Sequence, residues 1–228
     1  MTKCFLTIEF VLYLIFMSIT CQVDGDTNLS ILLKFISIAI CCLYVLVQTI
    51  RKQAYSLWIS LSFLFFVCSD YFLLLKNTYL LGLYTFSMVQ FCFLCFLQKE
   101  NTKRVCRIMI VAVTFVLLLV LLQQIGFMVD ATLRFTVIYF LLFSSNLFDA
   151  VKECRKHRSS RSLCFAIGLL LYFACDLNVG IFNLSSYSSI SNPIFLWLYD
   201  FSIFGMWLFY LPGVVCIALS NSRTLYEI

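Results

Sequence analysis

Apolar blocks alternate along this chain with short polar breaks, and the alternation predicts helices near 4–21, 29–50, 55–75, 78–97, 105–126, 131–151, 162–184 and 194–219. The breaks read QVDGDTN, RKQA, KNT, QKENTKR, MVD, KECRKHRSSR and SSYSSISNP. A membrane-crossing helix takes about 20 mostly apolar residues, so eight of them use roughly 160 positions. Little beyond short loops remains of the 228 residues, and a single integral membrane domain over 1–228 is expected. The fold class that follows is all-α, polytopic, with about eight transmembrane helices. Short alternating strands, the signature of a membrane β-barrel, are missing, and glycines number only seven. Lys3 followed by an apolar stretch imitates a signal peptide. Glu9 interrupts it and no A-x-A-like site follows, so a retained first helix is expected.

Composition agrees with the pattern: 63% of residues are hydrophobic, 12% are charged, and the mean hydropathy is +1.00. A soluble domain carries about 25% charged residues, so Rossmann enzymes, zinc-finger modules and nucleic-acid-binding domains are excluded. The net charge of +5 is placed asymmetrically. Loops 2–3, 4–5 and 6–7 with both termini hold thirteen Lys and Arg residues, against Lys34, Lys76 and Arg134 on the opposite side. By the positive-inside rule both termini are expected in the cytoplasm. The three opposite cations lie close enough to helix ends to snorkel. The basic 6–7 loop, with the lone His157, reads first as a topology determinant and second as a contact for anionic membrane lipids; no nucleic-acid partner is expected. Twelve cysteines are scattered through the apolar blocks, including Cys41-Cys42 and the pair Cys92 and Cys95. They read as small packing residues, because a metal site would want further Cys or His nearby.

Ionisable groups deep in a span are costly and are usually directed at a cavity or a partner. Asp70 lies in SFLFFVCSDYFLLL and Asp176 in LLLYFACDLNVGIFNL. Glu9 and Asp149 sit nearer the cytoplasmic ends, where solvation is cheap. The two central aspartates share a context, F-V-C-S-D and F-A-C-D, on the third helix of each four-helix half. That is the pattern of a parallel repeat, which puts two carboxyl groups at similar depth. Two structural roles compete with a functional one: capping a broken helix, or binding a Ser, Asn or Tyr side chain across a helix pair.

At these residues the chain resembles the YhhN-type transmembrane family, whose activity is that of a lysoplasmalogenase. Ser69-Asp70-Tyr71-Phe72-Leu73-Leu74 is similar to the family's small-residue-plus-Asp segment in helix 3. Leu80-Leu81-Gly82-Leu83-Tyr84-Thr85-Phe86 matches the segment after the following hairpin, and Cys175-Asp176 the second small-Asp pair in helix 7. Phe209-Tyr210-Leu211-Pro212-Gly213 follows the family's Tyr-Tyr-x-Ala-Gln run in part. Two polar positions differ: Val89-Gln90 stand where the family often has Ala-His, and Gly213 where it has Gln.

The resemblance implies hydrolysis of the vinyl ether bond of a lysoplasmalogen, a single-chain lysophospholipid, to a fatty aldehyde and a glycerophospho-alcohol. It needs no cofactor. Protonation of the alkene carbon calls for a carboxylic acid, and the resulting cation for an anionic partner. Asp70 and Asp176 are the candidates for these catalytic roles. They are expected to face one cavity, with Tyr71, Gln90, Asn178, Asn183, Asp200 and Tyr210 as candidate substrate-binding side chains. A zinc or Ser-His-Asp hydrolase would need more than one histidine, and no glycine-rich phosphate loop occurs. A lipid-binding relative without activity and a proton-coupled carrier stand as alternatives. The carrier is disfavoured because Pro212 is the only break expected inside a helix.

Overall fold

A computed structural model describes residues 1–22, 27–126, 129–184 and 193–223. Eight helices among them are long and apolar enough to cross a membrane, so the chain is a multi-pass membrane protein. They are α1 (Thr2–Gln22), α2 (Asn28–Ile50), α3 (Leu57–Asp70), α4 (Tyr79–Leu97), α5 (Asn101–Gln124), α6 (Ala131–His157), α7 (Ser160–Leu184) and α8 (Pro193–Ser220). No strand occurs among the described residues; one isolated bridge, Ala54 to Ser222, ties the α2–α3 loop to the end of α8. Polar residues in the breaks start three of the helices. The side chains of Thr27, Ser56 and Asp130 accept from the backbone N–H groups of Ser30, Trp58 and Leu133.

Helices adjacent in sequence pack on one another within each half. In the first half α1 packs on α2, α2 on α3 and α3 on α4; in the second α5 packs on α6, α6 on α7 and α7 on α8. Between the halves α2 meets α8 and α4 meets α6, while α1 meets α8. Helices α7 and α8 approach closely at two glycines. A Cβ on Gly168 would lie 2.9 Å from the Gly213 carbonyl oxygen, and one on Gly213 would lie 3.0 Å from that of Gly168. Small residues are needed here because dispersion contacts, with no hydrophobic drive from lipid, hold membrane helices together. Gly213, unusual against the resembled family, therefore has a packing role. Pro212 beside it cannot donate to the Leu208 carbonyl one turn earlier. The Tyr13 hydroxyl of α1 donates to that carbonyl at 3.2 Å, so α1 fills the gap in α8.

Helix α5 is peripheral, with Val111 its one buried residue. Its Ile110, Val113, Leu117 and Leu121 are exposed on the protein surface, where lipid tails are as apolar as a protein neighbour. A polar clasp holds it: Arg107 donates to the Ser145 hydroxyl and carbonyl of α6 and pairs with Asp149, which also accepts from Gln98.

Several expectations change. Helix α6 continues through Lys152 to His157, so most of the expected 6–7 loop is helical and His157 ends a helix. Helix α5 begins at Asn101 rather than 105, and α7 at Ser160 rather than 162. Pro212 is not the only irregularity, since Tyr71–Leu75 form a π-helical turn directly after Asp70. Lys34 does not snorkel. It is 1% exposed, and its Nζ lies 4.1 Å from the centroid of the Trp207 ring. Glu9 is likewise 3% exposed rather than solvated, and accepts from the Cys41 thiol. Asp149 is held by Arg107 and Gln98 rather than by solvent. The breaks QVDGDTN, MVD and SSYSSISNP lie wholly or partly outside the described residues.

Gly168→Val should overpack the α7–α8 contact against backbone that cannot yield, lowering stability in detergent by about 1–3 kcal/mol. Gly180→Ala is the control, because a Cβ there meets nothing within 4 Å. Thermal unfolding of both variants checks the difference.

Candidate functional site

Asp70 is the last residue of α3 before the π turn, and only 3% of it is exposed. Its two oxygens accept from the Tyr210 hydroxyl of α8, at 3.0 and 2.9 Å. Its side chain caps no helix end. Asp176 is half-buried inside α7 and accepts from the Tyr139 hydroxyl of α6 at 2.5 Å. The Tyr139 hydroxyl also lies 3.2 Å from that of Tyr172, one turn before Asp176 on α7. Of the two structural roles weighed for these aspartates, the tyrosine contact across a helix pair is the one observed. Neither carboxyl has an ion-pair partner among the described residues.

The phenols belong to one aromatic cluster. The rings of Tyr172 and Tyr210 are 5.7 Å apart, and Phe86 lies 6.3, 6.0 and 6.4 Å from Tyr139, Tyr172 and Tyr210. Phe66 and Phe143 close it at 5.4 and 4.9 Å from Tyr172. Aromatic pairs at these separations add about 0.5–1.5 kcal/mol each beyond the area they bury. Trp207 packs edge-on against Tyr210 at 5.7 Å and carries Lys34 on its face. A cation thus stands two rings from Asp70.

The other predicted side chains divide. Tyr210 joins the cluster directly. Gln90 is fully buried on α4, where its carbonyl and side-chain oxygens accept from Asn146 Nδ2 at 2.8 and 3.1 Å. Asn178 is buried against Gly205 of α8 and donates to its own helix at Ala174. Asn183 bonds back to Val179 in the same way. Tyr71 is 38% exposed with Lys76 over its ring, and Asp200 is exposed on α8. These two are not brought to the aromatic cluster.

The surface grooves among the described residues include ones of about 430 and 400 Å³. One runs between α1 and α8, lined by Tyr13, Met17, Phe204 and Leu208; the other is lined by Tyr55, Trp58, Lys99 and Arg104. Asp70 and Asp176 line neither. Cys92 and Cys95 pack inside the core, and no disulfide joins the cysteines of the described residues.

Sequence reading missed Tyr139, Tyr172 and Asn146. Tyr172 carried a usable signal, since it precedes Asp176 by four residues and so shares its helix face. Tyr139 carried none, being one more aromatic residue in an aromatic-rich span.

Tyr210→Phe removes one hydroxyl and leaves a buried carboxyl group without its donor, at a cost of about 1–3 kcal/mol. Tyr139→Phe should cost less, because Asp176 is only half-buried. Unfolding midpoints of the two variants give the order.

Among protein families, the model of the YhhN family matches residues 29–220. Neither the curated proteins nor the solved structures compared with the chain gave a match.

Proposed function

From the premise that this chain belongs to the YhhN family, we propose that it is a lysoplasmalogenase-like membrane hydrolase. Its substrate would be a single-chain lysophospholipid with a vinyl ether bond. The observation that carries this reading is the attachment of Asp70 and Asp176, through Tyr210 and Tyr139, to a single aromatic cluster.

One aspartate, in its carboxylic acid form, gives its proton to the alkene carbon two atoms from the ether oxygen. The double-bond electrons form the new C–H bond, and the ether oxygen shares the positive charge as an oxocarbenium ion. The other aspartate, as carboxylate, faces that charge and takes a proton from the water that adds to the adjacent carbon. The hemiacetal then collapses to the aldehyde: its hydroxyl gives its proton to the first aspartate as the C–O bond to glycerol breaks, and the second aspartate protonates the departing oxygen to the glycerol hydroxyl. Over the cycle one water is consumed and both aspartates return to their starting states. Tyr210 and Tyr139 fix the direction of each carboxyl group, so that its reacting oxygen need not reorganise. Tyr71 and Asp200, at exposed positions, are the candidates open to a head group.

The basic loops favour a cytoplasmic position for both termini. A reporter fused at either end should be shielded from impermeant reagents in intact cells.

A second reading has one observation in its favour. The π turn behind Asp70 and Pro212 in α8 give each half an irregular span, as in the interrupted helices of carriers. A proton-coupled carrier would take up solute in proteoliposomes under a pH gradient and release no aldehyde.

Purified protein should release fatty aldehyde from choline or ethanolamine lysoplasmalogen. Asp70→Asn and Asp176→Asn should each reduce release by at least about 10²-fold, the usual scale of general acid–base catalysis. An inactive wild type across both head groups would sink the hydrolase reading.

A further inference from the structure

The buried amides of Gln90 and Asn146 leave two polar atoms without a partner among the protein's described groups, Gln90 Nε2 and Asn146 Oδ1. Both residues are fully buried. An unsatisfied buried polar group costs about 1–3 kcal/mol, and in hydrocarbon no bulk water relieves it. Turning an amide over does not remove the deficit. Asn146 Nδ2 faces two acceptors, the carbonyl and side-chain oxygens of Gln90. Reversing Asn146 would set acceptor against acceptor, and reversing Gln90 would set donor against donor. What remains is one donor and one acceptor on a bonded pair of side chains. The group that satisfies both is one that accepts a hydrogen bond and donates another.

We infer that Gln90 and Asn146 hold a water molecule between α4 and α6. A water needs two to four polar partners to be retained in a protein interior, and this pair supplies two. The place of the pair in the fold gives the water a use. Asn146 lies two turns along α6 from Tyr139, with buried Phe143 between them on the same face. Gln90 lies one turn along α4 from Phe86, which touches Tyr139, Tyr172 and Tyr210. Beyond Asn146 on α6 comes Asp149 with Arg107 and Gln98. The clasp of Asp149, Arg107 and Gln98 and the Gln90–Asn146 pair thus follow one another from the basic end of the molecule, and Phe143 and Phe86 stand between the pair and the tyrosines. Resting on the hydrolase reading, the water at Gln90 and Asn146 is the stored reactant for the step that adds water to the oxocarbenium ion.

Two arms test this with the full-length protein in lipid nanodiscs. A cryo-EM map that shows ordered waters should contain a peak about 2.7–3.2 Å from both Gln90 Nε2 and Asn146 Oδ1. A map without that peak, with the two atoms bonded to each other or to other side chains, overturns the site whatever the activity. The second arm is kinetic. Gln90→Met removes the donor at similar volume, and should lower kcat for aldehyde release by about tenfold while KM stays within about twofold. An unchanged kcat with the peak present overturns the supply role. A peak together with an inactive wild type refutes the hydrolase reading and the supply role, and leaves the water site standing.

Discussion

Hydrocarbon offers no water to a polar side chain, so a polar group buried in this protein is costly unless another group answers it. The helices are arranged around those answers. Tyr210 brings α8 to Asp70 on α3, and Tyr139 brings α6 to Asp176 on α7. Trp207 offers its face to Lys34 of α2, and the Arg107 clasp secures α5 on α6. Tyr13 of α1 serves the backbone carbonyl that Pro212 leaves open. The apolar surfaces between these points set how tightly helices approach, with Gly168 and Gly213 allowing a close contact.

Matched carboxyl groups in unmatched surroundings are the chemically important consequence. Asp70 and Asp176 lie on the third helix of each four-helix half, α3 and α7. Their partners do not repeat. Asp70 is bound from α8 in the other half, whereas Asp176 is bound from α6 in its own, with Tyr172 close by. One carboxyl group is enclosed and the other half-buried. Differences of environment are how two identical acids come to divide the roles of acid and base. Within the proposed reaction, duplication supplies two carboxyl groups and divergence makes them unequal.

The spans were legible because hydropathy is a local property, read from each block of residues without knowing its neighbours. The two aspartates were legible because charge is so scarce inside the blocks. Depth and partnership are not local. Glu9 and Lys34 read as solvated from their distance to helix ends, yet neighbouring helices enclose both. Tyr139 and Tyr210 reach their carboxyl groups from other helices, and the latter is 140 residues from Asp70 in sequence. Nothing in Tyr71–Leu75 marks a π turn, since the run is plain apolar sequence. Its cause is tertiary. Ser69 donates to the Gly82 carbonyl, and Leu73 packs where a Cβ on Gly82 would stand, so the α3–α4 hairpin draws the chain in.

The account depends on Asp70 and Asp176 belonging to one site. A double-mutant cycle on stability, with Asp70→Asn, Asp176→Asn and the pair together, measures that dependence without any substrate. Carboxyl groups joined through packed phenols should show a coupling energy of about 0.5 kcal/mol or more. Additivity within about 0.3 kcal/mol would mean two independent buried acids, and would contradict the shared site.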